Sequence, residues 1–156
     1  MQPSPELRRT LAAAMARILP ADPASGRPGA AELGAADYAA AVLAGRERGW
    51  QPLFEQGFAV LDGLVEEAAE EAGTTGTMDG AAFADAAEEV QDAALAQLAQ
   101  MSAAAPRAFF SRLVQLTLEG CLADPRHGGN RGGRGWATLG AAPPGSCCRP
   151  LPESSE

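Results

Sequence analysis

The sequence predicts an all-α fold, a compact bundle of about five or six helices with a glycine-rich C-terminal loop. Three observations carry that prediction. Apolar residues recur every three or four positions in five separate stretches. No stretch alternates apolar and polar residues with β-branched enrichment, as a strand would. Proline and glycine cluster between the periodic stretches. At 156 residues the chain fits one domain, expected over residues 1–145, with a flexible polar tail at 146–156. Hydrophobic residues make up 46%, but aromatics only 5% and much of the remainder is alanine. Alanine buries little area, so the core should be thin for its length and leave scope for further burial against a partner.

The first helix begins at Ser4-Pro5-Glu6, where a serine cap, a first-turn proline and an acid follow one another. Leu7, Leu11, Met15 and Ile18 then fall at helical spacing, and Pro20 and Pro23 end the run. The segment ADPASGRPGAAELG, residues 21–34, reads as a loop. A short helix is expected over Asp37 to Ala44, with Tyr38 and Val42 on one side. Pro52 to Ala72 reads as a long amphipathic helix whose apolar stripe is Phe54, Phe58, Leu61, Val65 and Ala68. The acids from Glu55 to Glu71 lie mostly outside that stripe, as a solvated face would. GTTGTMDG at 73–80 reads as a turn, and Ala81 to Met101 as helix, in one or two pieces, with Phe83, Val90, Ala94, Leu98 and Met101 turned inward.

Pro106 opens the most apolar helix, PRAFFSRLVQLTLEGCLADP. At about 100° per residue, Ser111, Arg112, Gln115 and Glu119 share one narrow polar stripe. Phe109, Phe110, Leu113, Val114, Leu116 and Cys121 occupy most of the remaining circumference, which makes this helix central. Thr117 lies inside the apolar arc, where its hydroxyl can bond a carbonyl one turn back.

The net charge of −8 argues against general nucleic-acid binding, because a polyanion repels an acidic surface. No apolar run is long enough to span a membrane. Three cysteines, Cys121, Cys147 and Cys148, are too few for a disulfide scaffold. The stretch ADPRHGGNRGGRGWATLG, residues 123–140, invites several chemistries. A phosphate loop should leave a strand and enter a helix, whereas this one leaves a helix. Gly128 to Gly133 has the outer spacing of a P-loop, but Arg134 and Gly135 stand where lysine and serine or threonine are required. RHGGNRGGRG is a single short arginine–glycine copy with no aromatic platform. His127 and the cysteines have no metal-ligand spacing. With one histidine and no G-x-S-x-G elbow, no nucleophilic site is legible. The remaining reading is a loop with a specified shape. Asp124-Pro125 stops the helix, Gly128-Gly129 should take positive φ, and Asn130 tolerates such angles and bonds its own backbone. Gly135 should let Trp136 approach other backbone, Gly140 turns the chain, and Pro143-Pro144 stiffens the exit.

These residues resemble the C-terminal signature of the gluconate 2-dehydrogenase subunit 3 family. That signature has an aromatic-rich helix, T-x-E-G, D-P, an aromatic before G-G-N, then G-W, a later glycine and P-G. Here it is matched by Thr117, Glu119, Gly120, Asp124, Pro125, Gly128, Gly129, Asn130, Gly135, Trp136, Gly140, Pro144 and Gly145. The segment ILPADPASGRPGAAELGAADY, residues 18–38, is similar to the family's N-terminal half, so the resemblance covers about residues 7–145. The family usually has tyrosine where His127 stands.

The resemblance implies a small subunit without cofactor of its own. Its partner is a GMC-type large subunit that carries FAD and oxidises sugars, sugar acids or related alcohols, and in many such systems a multihaem cytochrome c takes the electrons. The small subunit serves the folding and maturation of the large one. Members often carry a twin-arginine signal ahead of the first helix. As it stands this chain begins at that helix, so the expected location is cytoplasmic, or periplasmic where a signal has been removed or export follows another route. The residues expected to touch the partner are Arg126, His127, Asn130, Arg131, Arg134 and Trp136, the alternative for Trp136 and Asn130 being that they pin the loop to this chain's own core. Those expected to shape the loop are Asp124, Pro125, Gly128, Gly129, Gly135 and Gly140. The competing reading is a free-standing helical binding or regulatory module with no flavoprotein partner.

Overall fold

A computed structural model describes residues 4–71 and 82–141. The expected turn at 73–80, the tail at 146–156, and Pro143, Pro144, Gly145, Cys147 and Cys148 lie outside them. The described residues form seven α-helices: α1 (Pro5–Ile18), α2 (Ala30–Leu33), α3 (Ala35–Ala44), α4 (Gln51–Glu71), α5 (Glu88–Gln100), α6 (Ala104–Leu122) and α7 (Arg134–Thr138). No strand occurs among them beyond one isolated backbone pairing, Asp22 with Arg27. The fold is all-α, as its periodicity predicts. Two very short helices, α2 and α7, bring the total above the five or six expected.

Helix α1 starts where its cap says it should, with the Ser4 side chain accepting from the Leu7 N–H at 3.1 Å. Its stripe of Leu7, Leu11 and Met15 is buried. On its other edge Arg17 takes both oxygens of Asp92 on α5, at 2.7 and 2.6 Å, and Glu88 at 2.6 Å. The hydrogen bond from Arg17 holds the Asp92 carboxyl below its ordinary range. Phe54, Phe58, Leu61, Val65 and Ala68 of α4 are all buried, matching the stripe read from their spacing. The expected 81–101 helix is in two pieces. A 3-10 turn at Phe83–Asp85 buries Phe83, and α5 follows. The turn is held by the Asp62 carboxylate, which accepts from the Phe83 N–H at 2.7 Å, and by Gln91, which donates to the Phe83 carbonyl at 2.9 Å.

Helix α6 contacts every other described helix, as an apolar helix with little polar circumference must. Phe109 is fully buried between Phe54 and Phe58, each ring edge-on to it at 5.3 Å. The Thr117 hydroxyl donates to the Leu113 carbonyl at 2.8 Å, the structural role its position predicts. The polar stripe of α6 departs from expectation. Only a tenth of the Arg112 side chain is exposed, and its guanidinium bridges Glu47, after α3, and Glu119. Arg46 and Tyr38 complete this cluster, Arg46 donating to the Tyr38 hydroxyl at 2.9 Å. Arg112 and Glu119 thus form a partly buried ion-pair seam toward Glu47 and Arg46, while Ser111 and Gln115 of the stripe stay exposed.

The 19–34 segment is more ordered than a loop. Asp22 and Arg27 exchange backbone hydrogen bonds at 2.9 and 3.1 Å, and the Asp22 carboxylate accepts from the Ser25 hydroxyl at 2.6 Å. Helix α2 follows, with Glu32 accepting from the Gly29 N–H at 2.9 Å. Gly34, in the left-handed conformation, turns α2 into α3.

Candidate functional site

The 123–140 stretch folds back on the end of α6 around one residue. Asn130 is 0% exposed and adopts φ 44°, the left-handed region. Its N–H donates to the Gly120 carbonyl at 2.7 Å. Its Nδ2 donates to the Ala123 carbonyl at 2.9 Å, and its Oδ1 accepts from the Gly135 N–H at 2.8 Å. The first two contacts satisfy carbonyls that the last turn of α6 leaves free, and the third satisfies an N–H that the first turn of α7 leaves free. One carboxamide thereby ties the end of one helix to the start of the next. For this reason WATLG is not loop: α7 forms there, and Trp136 is in it.

The approach needs missing side chains. A Cβ on Gly135 would lie far inside contact distance of the Cys121 carbonyl oxygen and 2.9 Å from Asn130 Oδ1. A Cβ on Gly129 would likewise collide with the Gly120 carbonyl. Gly129 does not have the positive φ expected of it, which falls to Gly128 at 92°. Gly129 is required by the close approach. Gly140 has φ 66°, as expected of a turn. At the start of the loop, Asp124 accepts from the Arg126 backbone N–H at 3.0 Å and from its guanidinium at 2.6 Å, and Pro125 opens a 3-10 turn.

These bonds from Arg126 hold the Asp124 carboxyl down at about 2, against an ordinary 3.8. An acid whose folded value is depressed adds stability that is complete above its ordinary value and lost as pH falls through the folded one. Acidification from pH 5 to pH 2 is therefore expected to lower the protection of the Arg126 and His127 amides relative to their intrinsic exchange rates. Asp124→Asn should remove that pH dependence. An Arg126 amide whose exchange follows the intrinsic acid curve throughout would show that the Asp124 turn contributes nothing.

The expected partner contacts divide. Asn130 is no surface contact, since it is fully buried and its carboxamide is bonded inside the loop. The indole N–H of Trp136 donates to the Leu122 carbonyl at 2.8 Å, leaving a half-buried ring. Arg131 pairs with Asp37 of α3 and lies over Gly34. Arg126 is exposed beside Asp124. His127 and Arg134 are exposed, and Arg134 makes no ion pair among the described residues. Leu118, Leu122 and Leu139, absent from the residues expected at the site, also stand exposed at this end. For Leu118 and Leu122 the available signal is an apolar pair at i and i+4 on α6.

Among the described residues no group of three or more His, Cys, Asp or Glu is arranged to hold a metal ion. Burial pushes the Cys121 thiol up to about 11, so it is not a ready nucleophile at neutral pH. The arrangement builds shape with backbone and carboxamide, and leaves cations and leucines on its outside.

No curated protein and no solved structure matches the chain. The profile of the family described as gluconate 2-dehydrogenase subunit 3 matches residues 5–145, from the first turn of α1 to the glycine that ends the signature. With nearly the whole chain covered, and the Asn130–Gly135 core of the signature forming the fastening between α6 and α7, this protein belongs to the gluconate 2-dehydrogenase subunit 3 family.

Proposed function

We propose that this chain is the non-catalytic small subunit of a flavin-dependent dehydrogenase acting on sugars, sugar acids or related alcohols. The large GMC-type subunit carries FAD and takes hydride from the substrate. A cytochrome c subunit is a fitting acceptor for the electrons. The small subunit stabilises the large one and promotes its maturation. The observation that carries this reading is the family match over residues 5–145. The shape of the C-terminal segment supports it. A loop whose polar groups are bonded internally, with Arg126 and Arg134 left on its outer edge, is a preformed surface for another protein, and preformed surfaces lose little entropy on docking.

The test is co-expression of the large subunit of the complex with and without this chain. The expected result is that soluble, FAD-loaded large subunit accumulates only with the small subunit present, and that the two co-elute on size exclusion. A large subunit that folds, loads flavin and turns over equally well alone, with no co-elution, would overturn the proposal.

A further inference from the structure

Four large apolar side chains stand exposed among the described residues, and three of them gather at one place. Leu118 is 48% exposed, Leu122 40% and Leu139 66%; the fourth, Trp50, is elsewhere. The three leucines line a trough of about 280 Å³ between the C-terminal half of α6, α7 and the 19–28 segment. Leu19, Pro20 and Pro28 face them from that segment. An apolar patch of this kind, left open by a small protein, marks a place where another surface belongs.

The trough is preformed on every side. The Asp22–Arg27 pairing and the Asp22–Ser25 hydrogen bond fix the 19–28 segment. The Asn130 carboxamide and the Trp136 indole fix α7.

Its rim selects the occupant. Asp22 is engaged with Arg27, and Glu119, beside Leu118 and Leu122, with Arg112 and Arg46. Arg134 lies one turn before Thr138, which lines the trough, and has no acid among the described residues. The matching segment is therefore apolar and brings a carboxylate. A second copy of this chain fits poorly, because each copy carries a net charge of −8 and the two would repel. The chain's own residues 142–156 contain one large aliphatic residue, Leu151, too little to cover three leucines. Building on the subunit reading above, we propose that the trough seats an apolar, carboxylate-bearing segment of the large dehydrogenase subunit.

The test measures binding of the full chain to the purified large subunit of its complex. Leu118→Asp and Leu139→Asp are expected to weaken binding by about tenfold or more, the size of effect seen when an interface anchor is lost. Arg134→Glu should weaken it less and flatten its salt dependence. Trp50→Asp, on another face, should leave it unchanged. Leu118→Ser serves as a milder variant if Leu118→Asp lowers the melting temperature. If the wild-type chain binds and the trough variants bind as tightly, the trough proposal falls while the subunit reading stands. If the wild-type chain does not bind at all, the subunit reading fails and the trough with it. A dimer in solution that Leu139→Asp dissociates would assign the trough to a second copy. Much tighter binding by a chain ending at Ala141 would assign it to the tail. Either result would overturn the proposal.

Discussion

Replacing Asn130 with alanine is expected to lower stability by about 3–5 kcal/mol and to free residues 124–141 from the end of α6 before the rest of the chain unfolds. Two terms add. The carboxamide bonds the Ala123 carbonyl and the Gly135 N–H, and alanine leaves both without a partner. Each buried backbone group so abandoned costs about 1–3 kcal/mol. Asn130 also holds φ 44°, where a Cβ without a hydrogen-bonding side chain costs about 1–2 kcal/mol. Release of the segment lets water reach the orphaned groups, so the cost is limited to that of undocking α7. The readout is hydrogen exchange at the Gly135 amide and the Trp136 indole, both bonded across this joint. Asn130→Gly separates the terms: it loses the same two bonds but tolerates the backbone angle, and should be about 1–2 kcal/mol less damaging than alanine. If alanine and glycine are equally harmful, the left-handed backbone is no constraint. If neither moves the exchange of Gly135, Asn130 is not the fastening.

Much of the helical frame could be read from spacing. The stripes of α1 and α4 and the burial of Phe109, Leu113 and Leu116 follow from a period that only one face can satisfy. The misses share a cause. Helix α7 is short, follows a run of glycines, and starts because an asparagine five residues back accepts from Gly135, a partner that periodicity does not report. Helix α2 was hidden in a segment whose proline and glycine content argues for loop. Arg112 looks like a solvated residue on α6, and only the position of Glu47 across the fold makes it an internal bridge. The site was half legible. The residue types announce a shaped loop; Pro125 opens a 3-10 turn and Gly128 holds positive φ, while Gly135 packs its own backbone against the Cys121 carbonyl. Whether Asn130 and Trp136 face inward or outward depends on the end of α6 folding against them, which lies in tertiary structure. The three leucines escaped because an apolar residue on a central helix is taken for core until its neighbours are known.

Truncating Phe109 to alanine is expected to cost about 3–5 kcal/mol, the range for emptying a buried aromatic site. For a chain of this size that lowers the melting temperature by about 6–20 °C. Phe109 is 0% exposed and edge-on to both Phe54 and Phe58 at 5.3 Å, and these are three of only five phenylalanines in a core otherwise rich in alanine. Unlike Asn130→Ala, this change acts on α4 and α6 together, so helical and aromatic circular dichroism should fall in one transition. Gly57 supplies an internal control. A Cβ there would collide with the Phe109 ring, so Gly57→Ala alone should destabilise by overpacking, about 1–3 kcal/mol. With Phe109 already alanine, the same methyl enters vacated space and gains helix propensity over glycine, so the second change should be neutral or stabilising. Urea denaturation of the four proteins reads this reversal of sign directly. Additive effects would mean that the α4–α6 seam relaxes around Gly57 and that the ring is not what holds the two helices in register. Because α6 carries one wall of the leucine trough and the carbonyls that receive Asn130, Phe109→Ala should abolish large-subunit binding only in step with unfolding. Asn130→Ala should abolish it while far-ultraviolet ellipticity is still close to native. That separation tells a core that supports the docking surface from a fastening that shapes it.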